Sequence, residues 1–312
     1  MVSICTIKVR IMKRSYLIVN PHGGLKKGLN ILEKVKPIFD EGDVELNILE
    51  TEYAGHARDY ANEIDFNGYD ALCAIGGDGT MHEIVNGMLT RDDGKQLPIG
   101  LVTGGTGNSF MHDMECLNPR NAARRILTGR LRPLDIAKVD ANGEIIFAFT
   151  MVGWGMATDI TELAENMRWL GGQRYNVASI IEVMKNRKRV SKLILDGNTI
   201  IDDYSFIIAC NTIHVGKGMQ MAPLAQINDG LIDLIIAKKA GRLKLLSLFP
   251  RLFNGSHISD PLCEYRQVKE FSIVPSDDNI LNIDGEINID RINIANTPIH
   301  VKVLEKEINV LV

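Results

Sequence analysis

One carboxylate stands inside a glycine turn in Ala71-Leu72-Cys73-Ala74-Ile75-Gly76-Gly77-Asp78-Gly79-Thr80-Met81-His82-Glu83-Ile84-Val85-Asn86-Gly87. The apolar run before it reads as a buried strand, and the spacing of Met81, Ile84, Val85, Met88 and Leu89 is helical from Met81 onward. Strand, glycine turn and helix start together make a phosphate cradle. Glycine lets backbone N–H groups approach a ligand, and the helix opens with unpaired donors and partial positive charge. Asp78 is then an anion placed where phosphates should sit. That makes chemical sense if it holds Mg²⁺ or takes a proton from an attacking hydroxyl. The competing reading is a plain strand–turn–helix corner with Asp78 and Thr80 as caps.

The elements that must position this turn alternate. Ser15–Asn20 reads as a strand ended by Pro21-His22-Gly23-Gly24, and a helix follows from about Leu29 to Phe39. Glu45–Glu50 is a second strand leading into Thr51 to Ala57, and His56–Ile64 a second helix. After the central turn, Pro98–Val102 is a strand that runs into Thr103-Gly104-Gly105-Thr106-Gly107-Asn108-Ser109, and Pro119–Leu127 is helical. Such alternation predicts a parallel sheet covered on both faces, with ligands outside the carboxyl ends of its strands. Three of its four strands end there in glycine-rich turns. Near Leu134 the pattern changes to short alternating runs, among them Ile145–Met151, Ser205–Asn211 and Leu231–Ala237, as in an all-β sandwich. Two helical patches interrupt it, Thr161–Lys185 and Leu243–Phe253, the second punctured by Pro250. The domains expected are therefore 1–134, α/β, and 135–312, β-rich.

The 312 residues suffice for about two cores, and a net charge of −4 offers no basic field for nucleic acid. Five cysteines without a C-x-x-C pair argue for a reducing cytosol and against disulfides or structural zinc. No apolar run approaches the ~18 residues of a membrane span. Met1–Arg14 does not read as a secretory signal, and with Met12 as a natural start the first eleven residues would be a frayed extension.

Seven blocks, in order, carry a resemblance to the diacylglycerol kinase and sphingosine kinase superfamily of lipid kinases. They are Asn20–Gly24, Thr51–Ala57, Gly76–Thr80 with Glu83 and Asn86-Gly87, Gly105–Asn108, Arg168–Gly171 with Arg174-Tyr175, Asn228–Asp233, and Asp284-Gly285-Glu286. The resemblance implies a Rossmann-like parallel sheet of the NAD kinase and phosphofructokinase kind, a C-terminal β-sandwich and an active site in the cleft between them. It implies ATP-dependent phosphorylation of a lipid hydroxyl with Mg²⁺. Asn20, Pro21, His22, Gly23, Gly24, Thr51, Gly77, Asp78, Gly79, Thr80, Met81, His82, Glu83 and Thr106 match the family's nucleotide contacts. Arg168 and Arg174 match arginines that sphingosine kinases bring to ATP. Asp78 and Glu286 match two alternative proton acceptors. Asp229, with the backbone carbonyls of Gln226 and Leu231, matches a structural Mg²⁺ site, and Asp135 an acid of the magnesium network. The chain has no G-x-x-x-x-G-K-[ST], so backbone N–H groups, Mg²⁺ and arginines must serve the phosphates.

The acid that sphingosine kinases use for the lipid amine aligns with Thr161; the nearest acids are Asp159 and Glu162. An ammonium without a nearby anion loses much of its attraction. Arg242–Phe253 mixes basic and bulky apolar residues as an interfacial helix would, and Lys185, Arg187, Lys188, Arg189 and Lys192 form a basic cluster suited to anionic head groups. The expected partner is thus a lipid substrate at the membrane surface, met from the side by a cytoplasmic protein. Nothing in the residues sets the oligomeric state, a homodimer included. Two rivals stay open: a kinase of a soluble hydroxyl compound, since Gly-Gly-Asp-Gly is shared with NAD kinases and phosphofructokinases, and a non-catalytic sensor. Intact Asp78, Glu83 and Glu286 speak against the sensor.

Overall fold

The run Ser-Tyr-Leu-Ile-Val after Arg14 has no polar face, and in the computed structural model it is a buried central strand, β1 (Arg14–Val19). The structure describes residues 8–9, 11–23, 26–216, 218–277, 280–286 and 294–312. The chain divides into two units, Met1–Asp135 with Lys306–Val312, and Ile136–Glu305.

In the first unit β1 is followed by α1 (Gly28–Glu41), β2 (Glu45–Glu50), α2 (His56–Glu63), β3 (Ala71–Gly76), α3 (Asp78–Leu89), β4 (Ile99–Thr103), α4 (Ser109–Asp113) and α5 (Pro119–Leu127). The sheet runs β2-β1-β3-β4, all parallel, and Val310 near the end of the chain pairs in parallel with Ile99. Val35 and Phe39 of α1 and Ile126 of α5 pack with Leu17, Val19, Cys73, Ile75 and Val102 of the strands. The register decides where function can reside. Val19 pairs with both Glu50 and Ile75, and Ile75 with Val102, so the four strands finish level. The loops opening at Asn20, Thr51, Gly77 and Gly104 therefore share one edge.

Two of these loops interlock. Gly104 N–H donates to the Gly76 carbonyl at 2.7 Å. A Cβ on Gly105 would sit 2.5 Å from the Gly77 Cα, and one on Gly77 would sit 2.8 Å from the Gly105 Cα. Gly77 has φ −119°, which any residue adopts, so here glycine is demanded by close backbone approach.

The second unit is antiparallel. β5 (Arg130–Ala141) enters it and pairs with β6 (Glu144–Ala148) from Ala137 to Ala141. Then come β7 (Met151–Gly155), α6 (Met156–Asn166), a 3₁₀ turn at Arg168–Gln173, α7 (Arg174–Lys185), β8 (Val190–Leu195), β9 (Asn198–Cys210), β10 (Ile232–Lys238), α8 (Arg242–Leu248), a 3₁₀ turn at Phe249–Phe253, β11 (Cys263–Val268), β12 (Glu270–Pro275), β13 (Leu281–Ile283) and β14 (Ile299–Leu311). One sheet is β13-β7-β9-β10-β11, and the other joins the start of β9 to β8, β12 and β14. β9 serves both, with a register shift at Tyr204–Phe206 where it changes sheet. Trp154, Leu193, Tyr204, Ile207, Leu234, Phe271, Ile273 and Ile299 fill the sandwich.

Several expectations need correcting. Ile145–Met151 is not one strand. Asp284, buried, accepts N–H groups from Phe149, Thr150 and Met151 at 2.8–3.2 Å, and this bends the chain between β6 and β7. Thr161–Lys185 is not one helix, because Gly171 has φ 55° and ψ −128°. Cys263–Val268 is a strand that the alternation did not reveal. Lys8 and Val9 are not frayed: they pair antiparallel with Leu131 and Arg130.

Gly105→Ala should force the two turns apart and cost about 2 kcal/mol, read as a lower thermal midpoint by circular dichroism. Asp284→Asn should leave buried N–H groups without an anion and cost about 3 kcal/mol. Both tryptophans, Trp154 and Trp169, lie in the second unit, so the shift of the urea midpoint in fluorescence measures that loss directly.

Candidate active site

Asn20 follows β1 and folds its own loop. Its Oδ1 accepts N–H groups from His22 at 3.0 Å and Gly23 at 2.7 Å, and its Nδ2 donates to Thr80 Oγ1 at 3.2 Å. The Asn20–Gly23 loop is thereby tied to the first turn of α3. Pro21 is half-buried and His22 exposed; Gly24 lies outside the described residues. Thr51 is buried one step past β2, its N–H donating to the Val19 carbonyl at 2.9 Å.

The helix after the central turn begins at Asp78 rather than Met81. Its opening turn is thus Asp78-Gly79-Thr80, where backbone N–H groups lack intrahelical acceptors and carry partial positive charge. The Met81 side chain is fully buried, so it offers a ligand only its backbone, and the buried His82 ring lies 3.4 Å from Asn86 Nδ2. Asp78 itself is half-buried. Its Oδ2 accepts the Ser109 N–H at 2.7 Å and its Oδ1 the Phe110 N–H at 3.2 Å. The acid clamps the third glycine loop at its rim, with Asn108 held at φ 55° and Thr106 exposed at the tip.

Glu83, half-buried, accepts the N–H groups of Gly55 at 3.0 Å and Ala57 at 3.1 Å through its two oxygens and caps α2. Cys73, buried in β3, has its thiol pushed up to about 11 by desolvation and is no nucleophile.

In the second unit, Asp284 and Gly285 have φ 55° and 92°, and Ile283 and Glu286 exchange backbone hydrogen bonds at 3.0 and 2.9 Å. Asp284-Gly285-Glu286 is thus a two-residue hairpin turn with the Glu286 side chain exposed at its shoulder. Thr161 Oγ1 donates to the Ala157 carbonyl at 3.0 Å and accepts Asn282 Nδ2 at 2.9 Å, while Asn282 Oδ1 accepts the Gly285 N–H at 2.9 Å. Asp159 forms an ion pair with the buried Arg189, and Arg187 stands 3.8 Å away. Arg174 pairs with Glu165 at 3.0 Å, so its charge is already answered; the Arg168 side chain lies outside the described residues.

Among the described residues no group of three or more His, Cys, Asp or Glu side chains is placed to hold a metal, so a cation here would need backbone carbonyls. The Asn228–Asp233 segment brings two acids together. Asp229 is exposed, and one of its oxygens accepts the Leu231 N–H at 3.0 Å. Asp233 is fully buried; its Oδ1 accepts Tyr265 OH at 2.5 Å and Gln267 Nε2 at 3.1 Å, while its Oδ2 has no hydrogen-bond partner. Burial, seconded by the Asp229 charge, raises its carboxyl above the usual range. An orphaned buried oxygen beside a second carboxylate is relieved by a cation. Asp135 is buried and accepts the Lys306 N–H at 2.6 Å.

Sequence reasoning missed the roles of Ser109, Phe110 and Asn282, placed Arg189 in a surface basic cluster where the structure buries it against Asp159, and carried Asp233 only as the end of a motif.

Residues 14–139 match the diacylglycerol kinase catalytic domain, and residues 150–312 match the YegS C-terminal NAD kinase beta sandwich-like domain. The chain is 28% identical to sphingosine kinase 1 of Arabidopsis thaliana, over 88% of this chain and 68% of that one. It is 29% identical to diacylglycerol kinase of Bacillus subtilis, over 88% of this chain and 90% of that one. The crystal structure of a diacylglycerol kinase from Bacillus anthracis has the same fold, with a TM-score of 0.77 at 24% identity over 97% of this chain and 98% of that one. With both halves matched, and the Asp78 turn and Glu286 hairpin within the matched segments, the chain belongs to the diacylglycerol kinase and sphingosine kinase superfamily of lipid kinases.

Proposed function

We propose that the protein is an Mg²⁺- and ATP-dependent kinase that moves the γ-phosphoryl group to the hydroxyl of a membrane lipid, acting as a peripheral enzyme on the cytoplasmic face. The observation that carries the reading is the interlocked pair of glycine turns with the Asp78 carboxylate clamped at their rim. The carboxyl edge of a parallel sheet is where ligands gather. There Asn20–Gly23, Thr51, Gly77–His82 and Thr106 supply hydrogen-bonding groups to a triphosphate without a P-loop lysine. Phosphoryl transfer asks chiefly for positioning and charge neutralisation, which this edge is built to give.

Mg²⁺ carried with the nucleotide would neutralise charge on the transferring oxygens, and Asp78 is the residue that would hold it. A second, structural Mg²⁺ would take Asp229 and the carbonyls of Gln226 and Leu231, with Asp233 behind them. Asp78 is the poorer proton acceptor of the two candidates, because protonation would give up a bond to Ser109 or Phe110. Glu286 can take the lipid hydroxyl proton without breaking the backbone bonds of its turn. No helix among the described residues is long and apolar enough to cross a membrane.

Asp159 bears on which lipid. Its ion pair with Arg189 leaves it ill suited to an ammonium, and Glu162, one step on from Thr161 in α6, is exposed on a different face of the helix. That favours a neutral lipid alcohol of the diacylglycerol type over a sphingoid base. Incubation with labelled ATP, Mg²⁺ and a mixed lipid extract should yield a phosphorylated neutral lipid, identified by mass spectrometry; a sphingoid phosphate as main product would reverse the preference. Asp78→Asn and Glu286→Gln should each lower kcat by about 100-fold or more with the circular dichroism unchanged. Only Asp78→Asn should raise the Mg²⁺ requirement, and only Glu286→Gln should flatten the acid limb of the pH–kcat profile. Full turnover in either variant removes that residue from the chemistry.

A further inference from the structure

Three rings stand in a column at the start of α2. Tyr53 and His56 stack with centroids 4.3 Å apart and planes 8° apart, and His56 and Tyr60 with centroids 4.0 Å apart at 20°. The lower pair follows from helical spacing, because His56 and Tyr60 are neighbours on one face of α2. α2 comes after β2 in a parallel unit, so its first turn lies at the carboxyl edge where the glycine loops open. The column therefore rises from Tyr60 toward that edge and ends there on Tyr53, which is 56% exposed.

Each ring is also held from the side. Tyr53 OH donates to Asp59 Oδ2 at 2.9 Å, Tyr60 OH donates to the Glu50 carbonyl at 3.1 Å, and His56 Nδ1 accepts the Glu52 N–H at 3.1 Å. The segment that carries Tyr53 is itself fastened to α3, since Glu83 takes the Gly55 and Ala57 N–H groups. Glu83 lies on the turn after the Asp78-Gly79-Thr80 opening of that helix. α2 is seated by its buried residues, Ala57 and Ala61, so the column is not needed to pack it. A ring that is exposed yet pinned by a hydrogen bond and a stacking partner has little rotamer freedom left to lose when a ligand covers it.

What suits such a face is another flat ring. The groups assigned above to the triphosphate leave the base of the nucleotide without a seat, and Tyr53 stands two residues past Thr51 at the same edge. We propose that Tyr53, backed by His56 and Tyr60, is the platform on which the base of the phosphate donor stacks. The proposal deepens the ATP-dependent reading and rests on it. Glu83 then has a positioning role, because its two bonds set the height of the platform against the turn that receives the phosphates. A stacked base is read through its π-face, and that contact is worth as much to binding as a good hydrogen bond.

Calorimetry on the full chain at fixed Mg²⁺ can compare ATP with tripolyphosphate, which has the phosphates and no base. The wild type should bind ATP the more tightly. Tyr53→Leu still covers His56 but offers no ring; it should weaken ATP binding about tenfold and leave tripolyphosphate binding as it was. Tyr53→Phe, which gives up only the bond to Asp59, should keep most of the wild-type affinity for ATP. Unchanged ATP binding in Tyr53→Leu overturns the proposal. So does an equal loss on tripolyphosphate, which would make Tyr53 a support for the phosphate loops. A wild type that binds tripolyphosphate as tightly as ATP overturns the platform and spares the phosphate site. If the wild type binds neither, the ATP-dependent reading fails and the platform falls with it.

Discussion

Two backbones that come closer than any side chain would permit set the geometry of the first unit. Gly77 and Gly105 face each other at a distance that excludes even a methyl group, and the Gly104 N–H to Gly76 carbonyl bond fixes their offset. Asp78 can then reach the N–H groups of Ser109 and Phe110, which lie far along the chain. The contact is favourable for a charge, since Asp78 opens α3 and its carboxylate meets the start of α4. A lysine-based phosphate site can tolerate a loop that wanders, because a long side chain absorbs the error. A site made of backbone donors cannot, and this chain answers with glycines in contact and a clamping acid.

The acids of the motifs divide by what they hold. Glu83 caps α2, Asp284 bends the chain between β6 and β7, and Asp159 answers a buried arginine. Each binds partners that would be costly to leave unpaired, because a buried donor or charge without its counterpart costs more than the bond itself is worth. Those three are thereby committed to the fold. Asp78, half-buried at the rim of the third glycine loop, and Glu286 and Asp229, both exposed, are the acids of these motifs placed to do chemistry.

The sequence spoke clearly where structure is local. The alternation of strand and helix, the three glycine loops at one edge and the β-rich second half all follow from period and turn residues read over short windows. The partners of the acids did not, because nothing near Glu83 announces Gly55 and nothing near Asp284 announces Phe149. Asp78 shows both sides of this: its oddity inside a glycine turn was legible, and its grip on Ser109 was not. The break at Gly171 and the bend before Met151 were missed for the same reason. In each case a continuous apolar or helical pattern was overridden, once by a left-handed glycine and once by a distant carboxylate.

Thr161 gains its meaning from such a distant link. Its hydroxyl is saturated by the Ala157 carbonyl and by Asn282, and Asn282 in turn accepts the Gly285 N–H beside Glu286. The helix expected to contact the lipid is therefore fastened to the turn that carries the proposed proton acceptor. A threonine at this place is a strut: it sets where the Glu286 hairpin stands relative to α6, and it offers no anion to an amine. Choosing a threonine here and spending Asp159 on Arg189 are consistent with one another, since a site that receives a neutral alcohol has no ammonium to answer and can use these positions to hold the turn.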